Sequence, residues 1–328
     1  MDEVLITGVG GFIGSFLAKA LLKRGYKVVG IDNFDPYYPK DYKLLRLEML
    51  KGFTNFEFYD VDFTEYESLR KVFENRNFSG VLHIGAKAGV RASIQNPEGY
   101  IKVNTLGTLN ILKVMLEFGI RKILMASTSS IYAGHNPPFV ESMKTDTPIS
   151  PYAVSKKAAE NLLYTYHHLY GIDALVLRYF TVYGPAGRPD MSIFKIFYSA
   201  FSGSEFPLYG DGSQRRSFTF VEDVVDGTIK AYETIKGFEV INIGNPTDEA
   251  LFNVINHVEN LVGNKVKIRF LEFNRADVME TKADITKARK LLNWEPKTDI
   301  YTGLEITYHW FRENWDRIKE IFPEMPRI

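Results

Sequence analysis

The sequence predicts an α/β protein: a doubly wound parallel sheet followed by a second, smaller α/β lobe. Three observations lead there. Short apolar strands alternate with longer helical stretches as far as Tyr179, the pattern of a parallel sheet covered on both faces. A glycine-rich turn, Gly8-Val9-Gly10-Gly11-Phe12-Ile13-Gly14, joins the first strand to an amphipathic helix. After Gly184-Pro185 the rhythm breaks: Gly203, Pro207, Gly210 and Gly212 crowd in and the elements shorten. A chain of 328 residues also exceeds the size at which one hydrophobic core keeps growing.

The expected strands are Val4–Thr7, Lys27–Asp32, Phe56–Asp60, Gly80–Ile84, Lys122–Ser127 and Asp173–Tyr179, apolar runs bounded by turn-forming residues. Helical spacing fits between them over Phe12–Arg24, Asp41–Lys51, Glu65–Asn75, Pro97–Phe118 and Tyr152–Tyr170. Val240-Ile241-Asn242-Ile243 reads as a strand returning to the main sheet. The stretch Thr302–Phe322, with Trp310 and Trp315, reads as an amphipathic docking helix rather than a membrane contact. One division is therefore residues 1–180 with later returns near 222–244, and the other is 181–328, interleaved with it.

Composition narrows the function classes. Lys plus Arg equals Asp plus Glu, 40 against 40, so no global field favours nucleic acid or an anionic membrane. The absence of cysteine excludes a disulfide, a thiolate metal site and a cysteine nucleophile, and fits a reducing cytoplasm. No basic segment followed by an apolar one opens the chain, so no signal peptide is expected. No apolar run approaches the roughly 20 residues that span a bilayer. A soluble cytoplasmic protein is expected.

Gly8, Gly11 and Gly14 allow a tight turn in which a pyrophosphate can approach backbone amides at the positive end of a helix; Phe12 and Ile13 lie in the same turn. Asp32 closes the second strand where an acid takes the hydroxyls of an adenosine ribose, with Asn33 beside it. A carboxylate there repels a 2′-phosphate, and no Arg or Lys follows until Lys40, which favours NAD over NADP. The simpler reading of Asp32 is a turn begun with Asn33. Asp60-Val61, ending the third strand, is a candidate adenine contact or a plain surface acid.

Tyr152 and Lys156 stand one helical turn apart, after a strand ending in Thr128-Ser129-Ser130. A phenol titrates near pH 10, too high for a neutral-pH base; a nearby ammonium and a positive nicotinamide ring would lower it. Lys156 could also hold a nicotinamide ribose, and Thr128 adds a hydroxyl for the same substrate oxygen. A second Tyr-x-x-x-Lys, Tyr232 to Lys236, lacks a hydroxyl-rich strand end before it and reads as a packing pair. His83 and His167-His168 read as structural, with no metal, since neighbouring histidines on a helix point apart.

Taken together, Thr7-Gly8-x-x-Gly11-x-x-Gly14, Asp32-Asn33, Asn104, Thr128-Ser129-Ser130, Tyr152-x-x-x-Lys156 and Arg178-Tyr179-Phe180-Thr181-Val182-Tyr183-Gly184-Pro185 resemble the extended short-chain dehydrogenase/reductases, and are most similar to nucleotide-sugar 4-epimerases. The resemblance implies a Rossmann domain binding NAD, with Asn104 among its contacts, and a smaller lobe binding a UDP-sugar. Dehydratases of this family carry acids after the threonine, where this chain has Ser129 and Ser130. Serine hydroxyls cannot do that acid–base work, which leaves oxidation at C4, rotation of the ketone and reduction on the other face.

The segment Asp32-Asn33-Phe34-Asp35-Pro36-Tyr37-Tyr38, with Thr181 and Gly187-Arg188-Pro189-Asp190-Met191, looks like the UDP-glucuronate 4-epimerase branch. That likeness makes Ser129, Ser130, Thr181 and Arg188 candidates for the C6 carboxylate, Arg216 for the diphosphate and Asp277 for the nucleotide ribose. Alternatives are a 4-epimerase of UDP-glucose or UDP-N-acetylglucosamine, and a non-catalytic NAD-sensing binding protein. Relatives dimerise through helices corresponding to Pro97–Phe118 and Tyr152–Tyr170, so a homodimer is implied. The chain departs from the family at Ala133, Ser217, Asn274 and Gly85-Ala86-Lys87.

Overall fold

The computed structural model describes residues 2–234, 236–272 and 278–326. Seven strands build the main sheet: β1 (Glu3–Thr7), β2 (Lys27–Asp32), β3 (Phe56–Asp60), β4 (Gly80–His83), β5 (Lys122–Thr128), β6 (Asp173–Tyr179) and β7 (Phe238–Ile243). Their spatial order is β7-β6-β5-β4-β1-β2-β3, every pair parallel. The chain moves outward from β1 through β2 and β3, then crosses to β4 and continues the other way. The doubly wound expectation holds, and Val240–Ile243 does return to the sheet edge.

Successive side chains on a strand face opposite sides, and here both sides are dry. Val4 and Ile6 join Leu17, Leu21 and Ile229 in one core, while Leu5 joins Val29, Leu69, Ile111 and Leu163 in the other. This double burial explains why the strands read as continuous apolar runs.

Two helices differ from expectation. Asp41–Lys51 becomes a helix over Lys40–Leu47 and a 3₁₀ turn over Glu48–Leu50. Pro97–Phe118 divides into helical Pro97–Tyr100, a π-helical stretch Ile101–Leu106, and helix Gly107–Glu117. Asn104 sits in the widened turn, its side chain bonded outside the helix, and π insertions of this kind recur at functional sites.

The smaller lobe has its own core. Phe194, Phe197, Phe206, Leu208, Val254 and Phe311 pack together, joined by Tyr38 and Tyr42 from the segment after β2. The final helix, Ile300–Ile321, docks there: Trp315 meets Tyr198 and Phe201 at ring centroid distances of 5.4 and 5.2 Å. Among the described residues no helix is long and apolar enough to cross a membrane.

Candidate active site

A cavity of about 720 Å³ opens at the carboxyl ends of β1, β2, β4 and β5 and runs to the smaller lobe. It straddles the gap between β1 and β4, where the winding reverses and ligands of such sheets bind. Gly8, Gly11, Phe12, Ile13, Gly14, Asp32, Asn33, Thr128, Ser129, Ser130, Tyr152, Lys156, Thr181, Arg188 and Arg216 all line it. Asn274 and Asp277 lie outside the described residues.

The turn after β1 fits a dinucleotide. Gly8 takes a left-handed φ of 71°, and a Cβ there would come within 2.5 Å of the Gly85 Cα. A Cβ on Gly14 would collide with the Gly8 carbonyl oxygen. Helix Phe12–Lys23 begins at Gly11 with no side-chain cap, so its first amides are left to an anion. Asp32, nearly buried, accepts from the Gly10 and Phe34 amides at 3.0 and 2.8 Å.

Three expectations about this end need correction. Asp60 is exposed and Val61 packs into the core beneath the sheet; neither lines the cavity, whereas Asp62 and Phe63 do. The chain turns two residues beyond β3, where Asp62 accepts from Asn33 Nδ2 at 2.8 Å. Asn104 is buried away from the cavity: Oδ1 accepts from the Lys87 amide, while Nδ2 donates to the Lys87 carbonyl and Ser155 Oγ. It pins the unusual loop after β4 to the helix that carries Tyr152. Asp32, finally, is not far from a cation, because helix Lys40–Leu47 brings buried Lys43 Nζ to 3.5 Å.

At the other end, Tyr152 and Lys156 project from helix Pro151–Tyr170, whose start is capped by Ser150 Oγ accepting from the Ala153 amide. Thr128 ends β5, its hydroxyl donating to Ser130 Oγ at 3.1 Å and lying beside the Tyr152 phenol. Burial pushes that phenol above its usual value; the Thr128 hydroxyl and the Arg188 charge pull it partly back, and Asp190 pushes it up. In the protein alone desolvation of the phenolate dominates, and the lowering expected from an ammonium together with a nicotinamide ring belongs to the NAD-bound site. Burial also pulls the Lys156 ammonium down to about 8, with Glu160 opposing. Its Nζ is buried without a hydrogen-bond partner, a donor placed for a ribose hydroxyl. Tyr232, by contrast, packs under Lys122 and bonds Ser79, outside the cavity.

The sugar end holds groups that sequence reasoning passed over. Asp190 lines the cavity, so the pocket does contain a further carboxylate, although Arg188 engages it through both Nε and Nη2. Tyr37, Arg91, Tyr100, Lys195 and Tyr209 line it too, with the Arg91 guanidinium 3.5 Å from the Tyr209 ring centroid. Of the pair Arg215-Arg216, Arg215 turns to Asp248 and only Arg216 faces the cavity. The loop bearing Arg188 is held from behind by Arg46, wholly buried, which donates to the Ala186 and Gly187 carbonyls at 2.9 and 3.0 Å. The departures Ala133 and Ser217 take simple roles: Ala133 lines the cavity, and Ser217 Oγ bridges to Asn245.

Comparison with known proteins agrees with this geometry. The model of the NAD dependent epimerase/dehydratase family matches residues 4–244. A UDP-glucuronate 4-epimerase of Thermodesulfobacterium geofontis is 49% identical, over 98% of this chain and 99% of its own. UDP-glucuronate 4-epimerase 4 of Arabidopsis thaliana is 35% identical over 94% of this chain and 75% of its own. The crystal structure of UDP-glucuronic acid 4-epimerase from Bacillus cereus, in complex with UDP-glucuronic acid and NAD, superposes with a TM-score of 0.89. It is 34% identical and covers 95% of this chain and 99% of that one. A match of this extent, with the fold and the cavity in agreement, means that the chain belongs to the NAD dependent epimerase/dehydratase family.

Proposed function

We propose that this protein is an isomerase that retains NAD and interconverts UDP-glucuronate and UDP-galacturonate through a 4-keto intermediate. The observation that carries this reading is one cavity in which Tyr152, Lys156 and Thr128 meet Ser129, Ser130, Thr181 and Arg188. The first three suit removal of an alcohol proton; the last four suit a carboxylate, which accepts from hydroxyls and a guanidinium. The names of the relatives from T. geofontis and B. cereus point the same way. Residues 1–180 with 222–244 hold the cofactor in this reading, and 181–328 the sugar nucleotide.

When bound, NAD would supply a reversible hydride acceptor for C4 and a positive ring that favours phenolate. Gly8, Gly11 and Gly14 let its diphosphate reach the helix amides; Asp32 takes the adenosine ribose and Lys156 the nicotinamide ribose. Tyr152, as phenolate, accepts the proton of the C4 hydroxyl and later gives it back. Thr128 holds the same oxygen, and Arg216 holds the substrate diphosphate. A 4-keto uronate is a β-keto acid prone to losing carbon dioxide. Ser129, Ser130, Thr181 and Arg188 hold its carboxylate so that the breaking bond does not align with the carbonyl π system. Ser129 and Ser130 supply no acid for dehydration, and the Asp190 oxygens are already engaged by Arg188.

The test is incubation of purified protein, without added cofactor, with a panel of UDP-sugars. UDP-galacturonate from UDP-glucuronate is the expected product. Predominant UDP-pentose, or conversion of UDP-glucose alone, would overturn the reading.

We also assign a homodimer in the cytoplasm. Ile101, Leu106 and Val154 are exposed apolar side chains on Pro97–Glu117 and Pro151–Tyr170, the helices that correspond to the dimer contact of relatives. Light scattering at micromolar concentration is expected to give twice the 37.5 kDa chain mass; a monomer mass rejects the assignment.

A further inference from the structure

Arg188 and Asp190 form a pair with a defined geometry. The guanidinium uses its side edge: Nε donates to Asp190 Oδ1 at 3.0 Å and Nη2 to Oδ2 at 2.5 Å. Arginine has five N–H groups in a planar fork, so three remain, both on Nη1 and one on Nη2. One from each Nη forms the end edge, and neither makes a hydrogen bond among the described residues. The end edge is the other place where a guanidinium binds a carboxylate with two parallel bonds.

The pair is also braced. The Asp190 side chain is only 7% exposed, and Tyr37 OH donates to its Oδ2 at 3.5 Å. The backbone on both sides is fixed: Arg46 and Tyr42 hold the Gly187 carbonyl, and the Met191 amide donates to the Arg188 carbonyl at 3.2 Å. An unrestrained arginine side chain loses rotamer freedom when it is fixed by a ligand. Here the ordering precedes the ligand, which is preorganisation.

We propose that Asp190, braced by Tyr37, is a positioning residue that selects for a carboxylate-bearing sugar by presenting the end edge of Arg188 to it. This rests on the uronate reading given above. Asp190 touches neither the reacting carbon nor its hydrogen. It acts through Arg188, and its effect falls on sugars with a negative charge at C6. A neutral hexose makes no paired bonds with that edge and is indifferent to how Arg188 is aimed.

The test uses the full NAD-containing enzyme with Asp190→Ala, Asp190→Asn and Tyr37→Phe. Steady-state kinetics give kcat and KM for UDP-glucuronate, and competition gives the inhibition constant of UDP-glucose. Asp190→Ala is expected to raise the UDP-glucuronate KM about tenfold, with the UDP-glucose constant within about twofold of wild type. Asp190→Asn keeps one oxygen acceptor at nearly the same volume, so it folds as wild type and falls between. Tyr37→Phe is expected to raise KM about twofold to threefold.

An unchanged UDP-glucuronate KM in both Asp190 variants overturns the proposal. So does a lowered KM, which would make Asp190 a competitor for Arg188, and so does a parallel rise in the UDP-glucose constant, which would indicate general damage to the pocket. Wild-type enzyme inert towards UDP-glucuronate sinks the functional reading and this proposal together; active wild type with indifferent variants sinks the proposal alone.

Discussion

Tyr152→Phe is expected to lower UDP-glucuronate turnover by about 10²–10⁴-fold while leaving NAD content and sugar-nucleotide affinity near wild type. The phenyl ring keeps the edge-on contact with Tyr100, 6.0 Å between centroids, so the cavity wall stays in place. Only the oxygen to which the proposed function gives the C4 proton is lost. Lys156 cannot take over, because its ammonium lies a helical turn further in, and Thr128 has a hydroxyl of ordinary acidity. Product quantification by chromatography measures the loss, and absorbance after denaturation reports retained NAD. Turnover within a few-fold of wild type would remove Tyr152 from the reaction.

The second large effect concerns stability. Glu160→Ala is expected to destabilise the fold by about 3–5 kcal/mol, the cost of leaving one member of a buried ion pair without the other. Glu160 and Arg178 are each 2% exposed, joined by bonds of 2.9 and 2.7 Å, with Ser127 Oγ donating to the same carboxylate at 2.6 Å. Without Glu160, buried Arg178 keeps, among the described residues, only the Tyr132 hydroxyl as a hydrogen-bond partner. Replacing both members by apolar residues of similar volume is expected to recover much of the loss. Denaturant midpoints of the single and double variants test this, and equal midpoints for wild type and Glu160→Ala would refute it.

The same pair has a pH signature. Burial alone would raise the Glu160 carboxyl, but Arg178, then Ser127 and Lys157, outweigh it and hold the group below the usual carboxylate range. A carboxyl with a depressed folded value stabilises the fold above its unfolded value near 4.3 and ceases to as pH falls through the folded value. The stability gap between wild type and Glu160→Ala is therefore full at neutral pH and narrows below about pH 4.

The sheet was legible because parallel strands buried on both faces must be apolar throughout, and Val4–Thr7 or Asp173–Tyr179 can hardly be read otherwise. Tyr152, Lys156 and Thr128 were legible because their relation is local: one helical turn, one strand end. What failed was non-local. Nothing in the sequence places Lys43 on Asp32, since that requires helix Lys40–Leu47 to fold back over the end of β2. Asp60 gave way to Asp62 because a strand end and a cavity wall are two residues apart. Asn104 looks like a ligand-facing amide but satisfies a loop backbone and Ser155. Desolvation of the Tyr152 phenol, which raises it in the protein alone, is likewise a property of the packed fold and not of the Tyr-x-x-x-Lys spacing.

Arg46 touches no ligand, yet its helix grips the carbonyls beneath Arg188 with one side chain and reaches Asp32 through Lys43 with another. In the proposed reading, the acid assigned to the adenosine ribose and the loop assigned to the uronate thus rest on one eight-residue helix. A substitution that shifts this helix would reach both ends of the cavity, through Lys43 to Asp32 and through Arg46 to the carbonyls beneath Arg188.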